Sequence, residues 1–225
     1  MRSASLCGRL CAVALAFGAA GCTTVSEPFN AIRQAVTPGA SAPPGARVAA
    51  APVSVAPVSP AAQRAFDDAS SALRSGRTEE AERAYRALAQ ANPELGGPHA
   101  NLGVIYRRAG KLAEAAAEFE QAVRLSPEQP IYLNQLGVTY RQLGKFDQAH
   151  DAYQKAIALD PGYTLPTLNL GILYDLYLGD TQRALELYGR YLALSPSGDA
   201  TVTKWVADLK NRKPVPITVS RKEKE

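Results

Sequence analysis

The sequence predicts an all-α protein, a solenoid of stacked helix hairpins, on the basis of three observations. The segments 96–129 and 130–163 repeat one pattern at a spacing of 34 residues, and a fixed period of this length is typical of repeat proteins. Gly110 and Gly144 interrupt the two segments near their middles, where a glycine is expected to end a helix. One such hairpin cannot bury its apolar faces alone, so tandem copies are expected to stack. The recurring residues are Leu102, Gly103, Tyr106, Ala115, Phe119, Ala122 and Pro127, followed by Leu136, Gly137, Tyr140, Ala149, Tyr153, Ala156 and Pro161.

The spacing Leu-Gly-x2-Tyr-x8-Ala-x3-Phe/Tyr-x2-Ala-x4-Pro resembles the tetratricopeptide repeat (TPR). The resemblance implies a right-handed α-solenoid in which the first helix of each hairpin lines a concave groove. The position where the family usually carries Trp holds His99, Leu133 and Thr167 here. Members that bind chaperone tails use a Lys/Asn/Arg clamp, but the aligned positions of this chain include Phe66 and Ser70. That class of ligand is therefore disfavoured.

Extending the period in both directions predicts four repeats, at 62–95, 96–129, 130–163 and 164–198. The first helix of the first repeat is polar, which suits the end of an array because its outer face meets water. In the fourth repeat the second helix arrives one residue late, and the extra residue is predicted in the turn near 177–180. Glycines such as Gly103 and Gly137 are expected where two helices approach closely, beside aromatic side chains.

Residues 1–21 are predicted to be a signal peptide. Arg2 and Arg9 are its only charges, and its apolar or small-residue run of 11, at 10–20, is shorter than the roughly 20 residues that span a bilayer. The run ends in Ala-Ala-Gly-Cys, which resembles the bacterial lipobox and implies that Cys22 carries diacylglycerol and an acyl chain such as palmitate. The alternative is an ordinary signal peptide cleaved near Ala20, which would leave Cys22 as a free thiol.

The cysteine count agrees with acylation of Cys22. Cys7 and Cys11 leave with the predicted signal peptide, so the mature chain can form no internal disulfide. A single free thiol is a liability in an oxidising compartment. Thr23, rather than Asp, follows Cys22, and by resemblance to enterobacterial sorting rules this favours the outer membrane. The sequence therefore predicts an outer-membrane lipoprotein of a Gram-negative cell envelope that faces the periplasm.

Residues 22–61 are predicted to be a disordered linker rich in Pro and Ala, because this composition lacks the apolar bulk for a core. It would act as a tether reaching on the order of 100 Å, and the alternative is a spacer with no length requirement. Residues 199–211 carry an amphipathic pattern and are predicted to form a helix that caps the array. Trp205, the only Trp, would be its packing anchor. Residues 212–225 are predicted to be a charged, flexible tail.

Charge and motif content argue against two function classes. The repeats at 62–198 carry 14 basic and 16 acidic residues, and 199–225 carry 7 basic and 4 acidic residues, so neither segment resembles the strongly basic face of a nucleic-acid-binding protein. We expect no nucleic-acid partner. His99 and His150 have no metal-ligand spacing, and no phosphate-binding or nucleophile motif is present. We therefore expect no catalytic residues, no metal and no cofactor.

The first helices of the repeats are predicted to form a groove that binds a protein partner, as an extended peptide or a helix. Its floor would be apolar, its amide side chains would contact backbone groups and its arginines would pair with carboxylates. Alternatively, the arginines lie where they do because cations are favoured at the C-terminal ends of helices. The candidate residues are Asn101, Val104, Arg107, Arg108, Gln135, Val138, Arg141, Asn169 and Ile172.

Together these features predict a membrane-anchored periplasmic scaffold for protein–protein interaction. The process favoured by the resemblance is assembly of an envelope complex such as a pilus or secretion system. One alternative is an adaptor for peptidoglycan enzymes. Another is a ligand-binding module, which would require an aromatic-lined pocket.

Overall fold

The computed structural model describes residues 58–195 and 197–212, which contain nine helices and no strand. The predicted signal peptide, Cys22, the linker up to residue 57 and residues 213–225 lie outside these ranges. The helices are α1 (Pro60–Arg74), α2 (Thr78–Ala91), α3 (Gly96–Arg108), α4 (Leu112–Leu125), α5 (Pro130–Gln142), α6 (Phe146–Leu159), α7 (Thr164–Leu173, continued by a π-helical turn at Tyr174–Leu178), α8 (Thr181–Leu194) and α9 (Ala200–Asn211).

Consecutive helices pack against each other along the whole array. They form four hairpins, α1–α2 to α7–α8, and each second helix also contacts the first helix of the next hairpin. First helices of neighbouring hairpins touch as well, α3 with α5 and α5 with α7. The predicted all-α fold of stacked hairpins is therefore confirmed. No described helix is both long enough and apolar enough to cross a lipid bilayer.

The two helices of a hairpin meet where a glycine faces a buried ring. A Cβ atom built on Gly137 of α5 would lie 2.6 Å from Cε1 and 2.7 Å from Cδ1 of Tyr153 on α6. A Cβ atom built on Gly103 of α3 would likewise lie 2.9 Å from Cε2 and Cζ of Phe119 on α4. Both rings are fully buried. The predicted close approach at these glycines is thus observed, and any larger side chain would push the helices apart.

The fourth hairpin absorbs its extra residue inside helix α7. Gly110 and Gly144 follow Tyr106 and Tyr140 by four residues, whereas Gly179 follows Tyr174 by five. The Asp180 amide accordingly donates to the Tyr174 carbonyl oxygen at 3.0 Å, across a π-helical turn. A π-turn of this kind accommodates a single inserted residue. The insertion therefore lies in Tyr174–Leu178, slightly before the turn in which the sequence placed it.

A tyrosine hydroxyl joins each of the last three hairpins to the hairpin before it. Arg86 of α2 donates to the Tyr106 hydroxyl at 2.7 Å. The Tyr140 hydroxyl donates to Glu120 of α4 at 2.8 Å, and the Tyr174 hydroxyl lies 3.0 Å from Nε2 of His150 on α6. These hydroxyls occupy equivalent positions of the repeat, so the same junction is built three times.

Helix α9 covers the last hairpin by packing on α8. Its N-cap is Asp199, whose carboxylate accepts from the amides of Thr201 at 2.9 Å and Val202 at 3.1 Å. Val202 and Leu209 are buried, whereas Trp205 is half-buried with its ring centroid 5.8 Å from that of Tyr188. The observed bounds of α9 lie within the segment 199–211 predicted from the sequence.

Candidate protein-binding groove

The first helices α3, α5 and α7 carry a charged residue at one equivalent position of the repeat. These residues are Arg107, Arg141 and Asp175, spaced 34 residues apart, and we call them the charge row. We use the term groove for the face that the first helices form around this row. The Arg107 guanidinium lies 5.7 Å from the centroid of the Phe119 ring. At the other end of the row, Tyr188 donates to the Asp175 carboxylate at 3.4 Å.

Arg107 is half-buried and spans two repeats. Its Nη2 donates to Oε1 of Gln135 on α5 at 2.5 Å. Burial lowers the pKa of Arg107 to about 10, and the positive charges of Arg108 and Arg141 act in the same direction. Within the described ranges Arg107 forms no ion pair with a carboxylate. A desolvated cation is thus held without a counter-charge, an arrangement that an anionic ligand would relieve.

Arg141 is the second half-buried cation of the charge row. Its Nε is buried and has no hydrogen-bond partner among the described residues, and the same is true of the hydroxyl of Tyr153. The Arg141 guanidinium lies 5.7 Å from the centroid of the Tyr177 ring. Burial raises the pKa of Tyr153 to about 12, while Arg141 and Arg107 act in the opposite direction. The Tyr153 hydroxyl and the Arg141 guanidinium therefore face each other in the groove, but without a hydrogen bond of good geometry.

Asp175, in contrast, is neutralised within the chain. Its side chain is 8% exposed, and its Oδ1 accepts from Nη1 of Arg212, just after α9, at 3.1 Å. Burial raises the pKa of Tyr188, and the neighbouring Asp175 carboxylate raises it further. The groove therefore carries two arginines without a carboxylate partner, Arg107 on α3 and Arg141 on α5, whereas the charge of Asp175 is paired with Arg212.

A cavity of about 360 Å³ lies between the π-helical turn, α8 and α9. Trp205 is predicted from the sequence to pack against the array. The structure places it against Tyr188 and also in the wall of this cavity. The cavity is lined by Ile172, Asp175, Leu176, Tyr188, Trp205, Asp208 and Arg212.

The structure separates the predicted groove residues into buried and accessible sets. Asn101 and Val104 are each only 2% exposed, and Asn101 donates to the carbonyl oxygen of Gly97 at 3.0 Å. They pack beneath the groove surface and are not accessible to a partner. Gln135 is 7% exposed and accepts from Arg107. Asn169 donates to Oδ1 of Asn134 at 2.9 Å.

The accessible members of the predicted set are the arginines and two apolar residues. Arg108 is exposed, Arg141 and Val138 are half-buried, and Ile172 reaches the cavity. Sequence reasoning did not assign Arg212 to the site, because no repeat relates it to the Asp175 carboxylate 37 residues earlier. It also assigned Tyr153 to packing alone, and the pattern gave no signal that its hydroxyl would face the Arg141 guanidinium.

The two histidines take part in contacts between helices. Nδ1 of His99 lies 2.7 Å from Oε2 of Glu118, and His150 contacts Tyr174 as described above. In 58–195 and 197–212 no group of three or more His, Cys, Asp or Glu side chains could hold a metal ion.

Comparison with known proteins gives matches at the level of family and fold. The family model of the tetratricopeptide repeat matches residues 66–130, 101–164 and 134–199. No curated protein matches the chain significantly.

Solved structures show the same fold at low sequence identity. PilF from Pseudomonas aeruginosa is 22% identical with a TM-score of 0.62, and the match covers 67% of this chain and 68% of the PilF chain. MamA from Desulfovibrio magneticus RS-1 is 18% identical with a TM-score of 0.60, and the match covers 68% of this chain and 86% of the MamA chain. A thermophilic TPR protein from Thermus thermophilus is 23% identical with a TM-score of 0.56, and the match covers 67% of this chain and 82% of that protein's chain. Because the family model matches more than half of the chain, on the repeats and glycine contacts described above, the chain belongs to the tetratricopeptide-repeat family.

Proposed function

We propose that the chain is a lipid-anchored scaffold of the Gram-negative cell envelope whose groove binds a protein partner. A lipid on Cys22 would hold it to the outer membrane, facing the periplasm. The bound partner would belong to an envelope complex under assembly, such as a pilus or secretion system. The proposal thus joins an anchor, a tether and a binding surface in one chain.

The observation that carries the binding role is the pair of half-buried arginines in the groove. Arg107 and Arg141 lie on neighbouring first helices, and neither forms an ion pair with a carboxylate of the described chain. Charge-assisted bonds to carboxylate are among the strongest that arginine forms. A partner that supplies a carboxylate would therefore replace an electrostatic cost with a favourable contact.

The anchor is supported by the sequence alone. The run of 11 apolar or small residues and the Ala-Ala-Gly-Cys sequence precede a segment rich in Pro and Ala. Each buried methylene of an acyl chain adds about 0.8 kcal/mol of membrane affinity, so more than one chain gives stable attachment. The adaptor for peptidoglycan enzymes differs from the assembly scaffold only in the partner, and the same experiment distinguishes them.

The binding role is tested by crosslinking the tagged full chain in cells and identifying the captured proteins. We expect Arg107→Glu combined with Arg141→Glu to abolish capture while the helical circular dichroism is unchanged. A matched control is Arg124→Glu with Arg190→Glu, which reverses two exposed charges on the second helices α4 and α8. Capture of a secretin or pilus component would support the assembly role, and capture of a peptidoglycan hydrolase or synthase would support the adaptor role. Capture that survives the groove double variant would contradict binding in the groove.

The ligand-binding module is favoured by one observation, the aromatic wall that Tyr188 and Trp205 give to the cavity. If crosslinking captures no protein above a tag-only control, the scaffold role is contradicted. The small-molecule role then takes its place.

A further inference from the structure

We propose that the cavity beside the π-helical turn is a subsite for one large apolar side chain of the partner, such as Leu or Phe. The same peptide segment would carry a carboxylate that pairs with Arg141 or Arg107. This inference rests on the proposed binding role of the groove and specifies the chemistry of the partner.

The dimensions and lining of the cavity can accommodate a large apolar side chain. Its volume of about 360 Å³ exceeds that of one side chain and lies within the roughly 300–1,000 Å³ found for small-molecule sites. Ile172, Leu176 and Trp205 supply apolar walls. A buried apolar anchor beside polar contacts is the usual energetic centre of a protein interface. Its polar groups are the Asp175–Arg212 ion pair, the Tyr188 hydroxyl, Asp208 and the indole N–H of Trp205.

The π-helical turn exposes apolar residues, and one of them, Leu176, lines the cavity. Leu176, Tyr177 and Leu178 are 65%, 45% and 43% exposed, and the Tyr177 ring also packs on Phe146 at 5.0 Å between centroids. Exposed apolar surface beside a cavity is typical of an interaction site. The patch arises from the inserted residue, because the turns after α3 and α5 are one residue shorter. π-Turns of this kind occur frequently at functional sites.

The charge row connects the cavity to the uncompensated arginines. Arg141 stacks on Tyr177 of the turn at 5.7 Å. It also acts electrostatically on Tyr188, which lines the cavity. Moving away from the cavity, Arg107 is the next cation of the row. A segment with an apolar side chain in the cavity therefore runs past two cations that have no carboxylate partner in the described chain. Beside these cations a carboxylate of the peptide is favoured over a basic group, whereas Asp175 and Asp208 in the cavity lining favour an uncharged side chain within the cavity.

The inference is tested by selecting peptides from a displayed random heptapeptide library on the folded chain. The selected peptides are then synthesised and titrated while the emission of Trp205 is followed. Because Trp205 is the only Trp of the chain, a change in its emission reports the cavity directly. We expect the selected peptides to share Asp or Glu within a few residues of Leu, Phe or Ile, and to alter the emission.

Three variants distinguish the carboxylate contact at Arg141 from the apolar contact at Leu176. Arg141→Gln and Leu176→Asp should each weaken the selected peptides by about tenfold. Leu176 is exposed, so its replacement should leave the thermal midpoint unchanged. Leu159→Asp, which replaces another exposed leucine on α6, should change the affinity less than twofold.

The two proposals fail in different ways. Peptides that bind and lose affinity with Arg107→Glu plus Arg141→Glu, but share no apolar residue or leave Trp205 emission unchanged, overturn the cavity subsite and leave the groove as a binding surface. A library that yields no binder sensitive to that double variant contradicts both proposals. Displacement of a selected peptide by a peptidoglycan fragment at equal or lower concentration would assign the cavity to the small-molecule role instead.

Discussion

At the scale of single residues, Tyr85 and Tyr153 hold the same position of the repeat in different polar surroundings. Both rings are fully buried. The Tyr85 hydroxyl forms a hydrogen bond with the buried Ser70 hydroxyl at 2.8 Å, whereas the Tyr153 hydroxyl faces the Arg141 guanidinium without a hydrogen bond of good geometry. Removing one partner of a buried hydrogen bond costs about 1 kcal/mol or more, and removing a group without a partner does not.

We therefore predict that Tyr85→Phe lowers the free energy of unfolding by about 1 kcal/mol, while Tyr153→Phe leaves it within about 0.5 kcal/mol at neutral pH. Urea unfolding followed by circular dichroism measures both. An equal loss in the two variants would mean that the Tyr153 hydroxyl is hydrogen-bonded in solution.

The same pair predicts a dependence on alkaline pH. Burial raises the pKa of each tyrosine from 10.0 to about 12. Below pH 10 both the folded and unfolded chains keep these protons, so the two tyrosines do not lower the free energy of unfolding. Between pH 10 and 12 the unfolded chain loses them first and stability falls.

The lowered pKa of Arg107 acts with the opposite sign over that range, so the comparison is made between variants at each pH. The stability of Tyr153→Phe should fall less steeply above pH 10 than that of the parent chain. Identical slopes would contradict a raised pKa at Tyr153.

Gly137 gives a second prediction at this scale. In Gly137→Ala the new Cβ would lie 2.6 Å from the fully buried Tyr153 ring. Overpacking of this kind costs about 1–3 kcal/mol. Gly189→Ala in α8 is the control, because a Cβ there meets nothing within 4 Å and should add about 0.5–1 kcal/mol through helix propensity. Both are read from urea unfolding, and stabilisation by both substitutions would show that α5 and α6 separate freely.

At the scale of elements, the π-helical turn distinguishes the fourth hairpin from the others. It keeps Tyr174 and Gly179 in their roles at the end of α7 although one more residue separates them. The inserted residue also leaves Leu176, Tyr177 and Leu178 exposed at the surface near the cavity. The insertion is therefore compatible with the repeat fold and changes its surface.

We predict that deleting Leu178 restores an ordinary α-helical end and preserves the fold, with a thermal midpoint within a few degrees of the parent. The peptide selected for the cavity should bind about tenfold more weakly or worse, because Leu176 would move out of the cavity wall. Deleting Leu143, the equivalent residue of α5, should destabilise its hairpin, since no extra residue is present there. Thermal unfolding and titration of Trp205 emission provide the measurements, and retained peptide binding after deletion of Leu178 would show that the turn is not part of the subsite.

At the scale of the whole molecule, the helical array and the proposed lipid anchor at Cys22 have separate roles, the first in binding and the second in attachment. In the proposed arrangement, attachment to the membrane depends on the lipid at Cys22. We predict that Cys22→Ser releases the protein from membranes and abolishes incorporation of a labelled fatty acid. Cys7→Ser, inside the predicted signal peptide, should change neither. Unaltered fractionation and labelling of the Cys22→Ser protein would remove the lipid anchor.

The repeat period was sufficient to predict the helices, the glycine contacts and the position of the arginines, because each depends on spacing along the chain. It could not show that Asn101 is covered, since its amide finds the Gly97 carbonyl one helical turn earlier. It also could not reveal the ion pair of Arg212 with Asp175, which joins a residue outside the repeats to one within them. The site was thus predictable where it follows the repeat, and the cavity was not, because an insertion and a non-repeat helix build it.

The tyrosine junctions have a consequence for how such an array changes over evolutionary time. A phenol hydroxyl both donates and accepts, and here the three hydroxyls are satisfied by an arginine, a glutamate and a histidine in turn. Arg86 and Glu120 occupy one position of the second helix, and His150 occupies another position one turn earlier. The hydroxyl can therefore be satisfied from either position, by a basic, acidic or imidazole side chain. Duplication of the second or third hairpin within the gene would create a junction that already has a polar partner. Arrays of this kind can lengthen by copying before any compensating substitution arises.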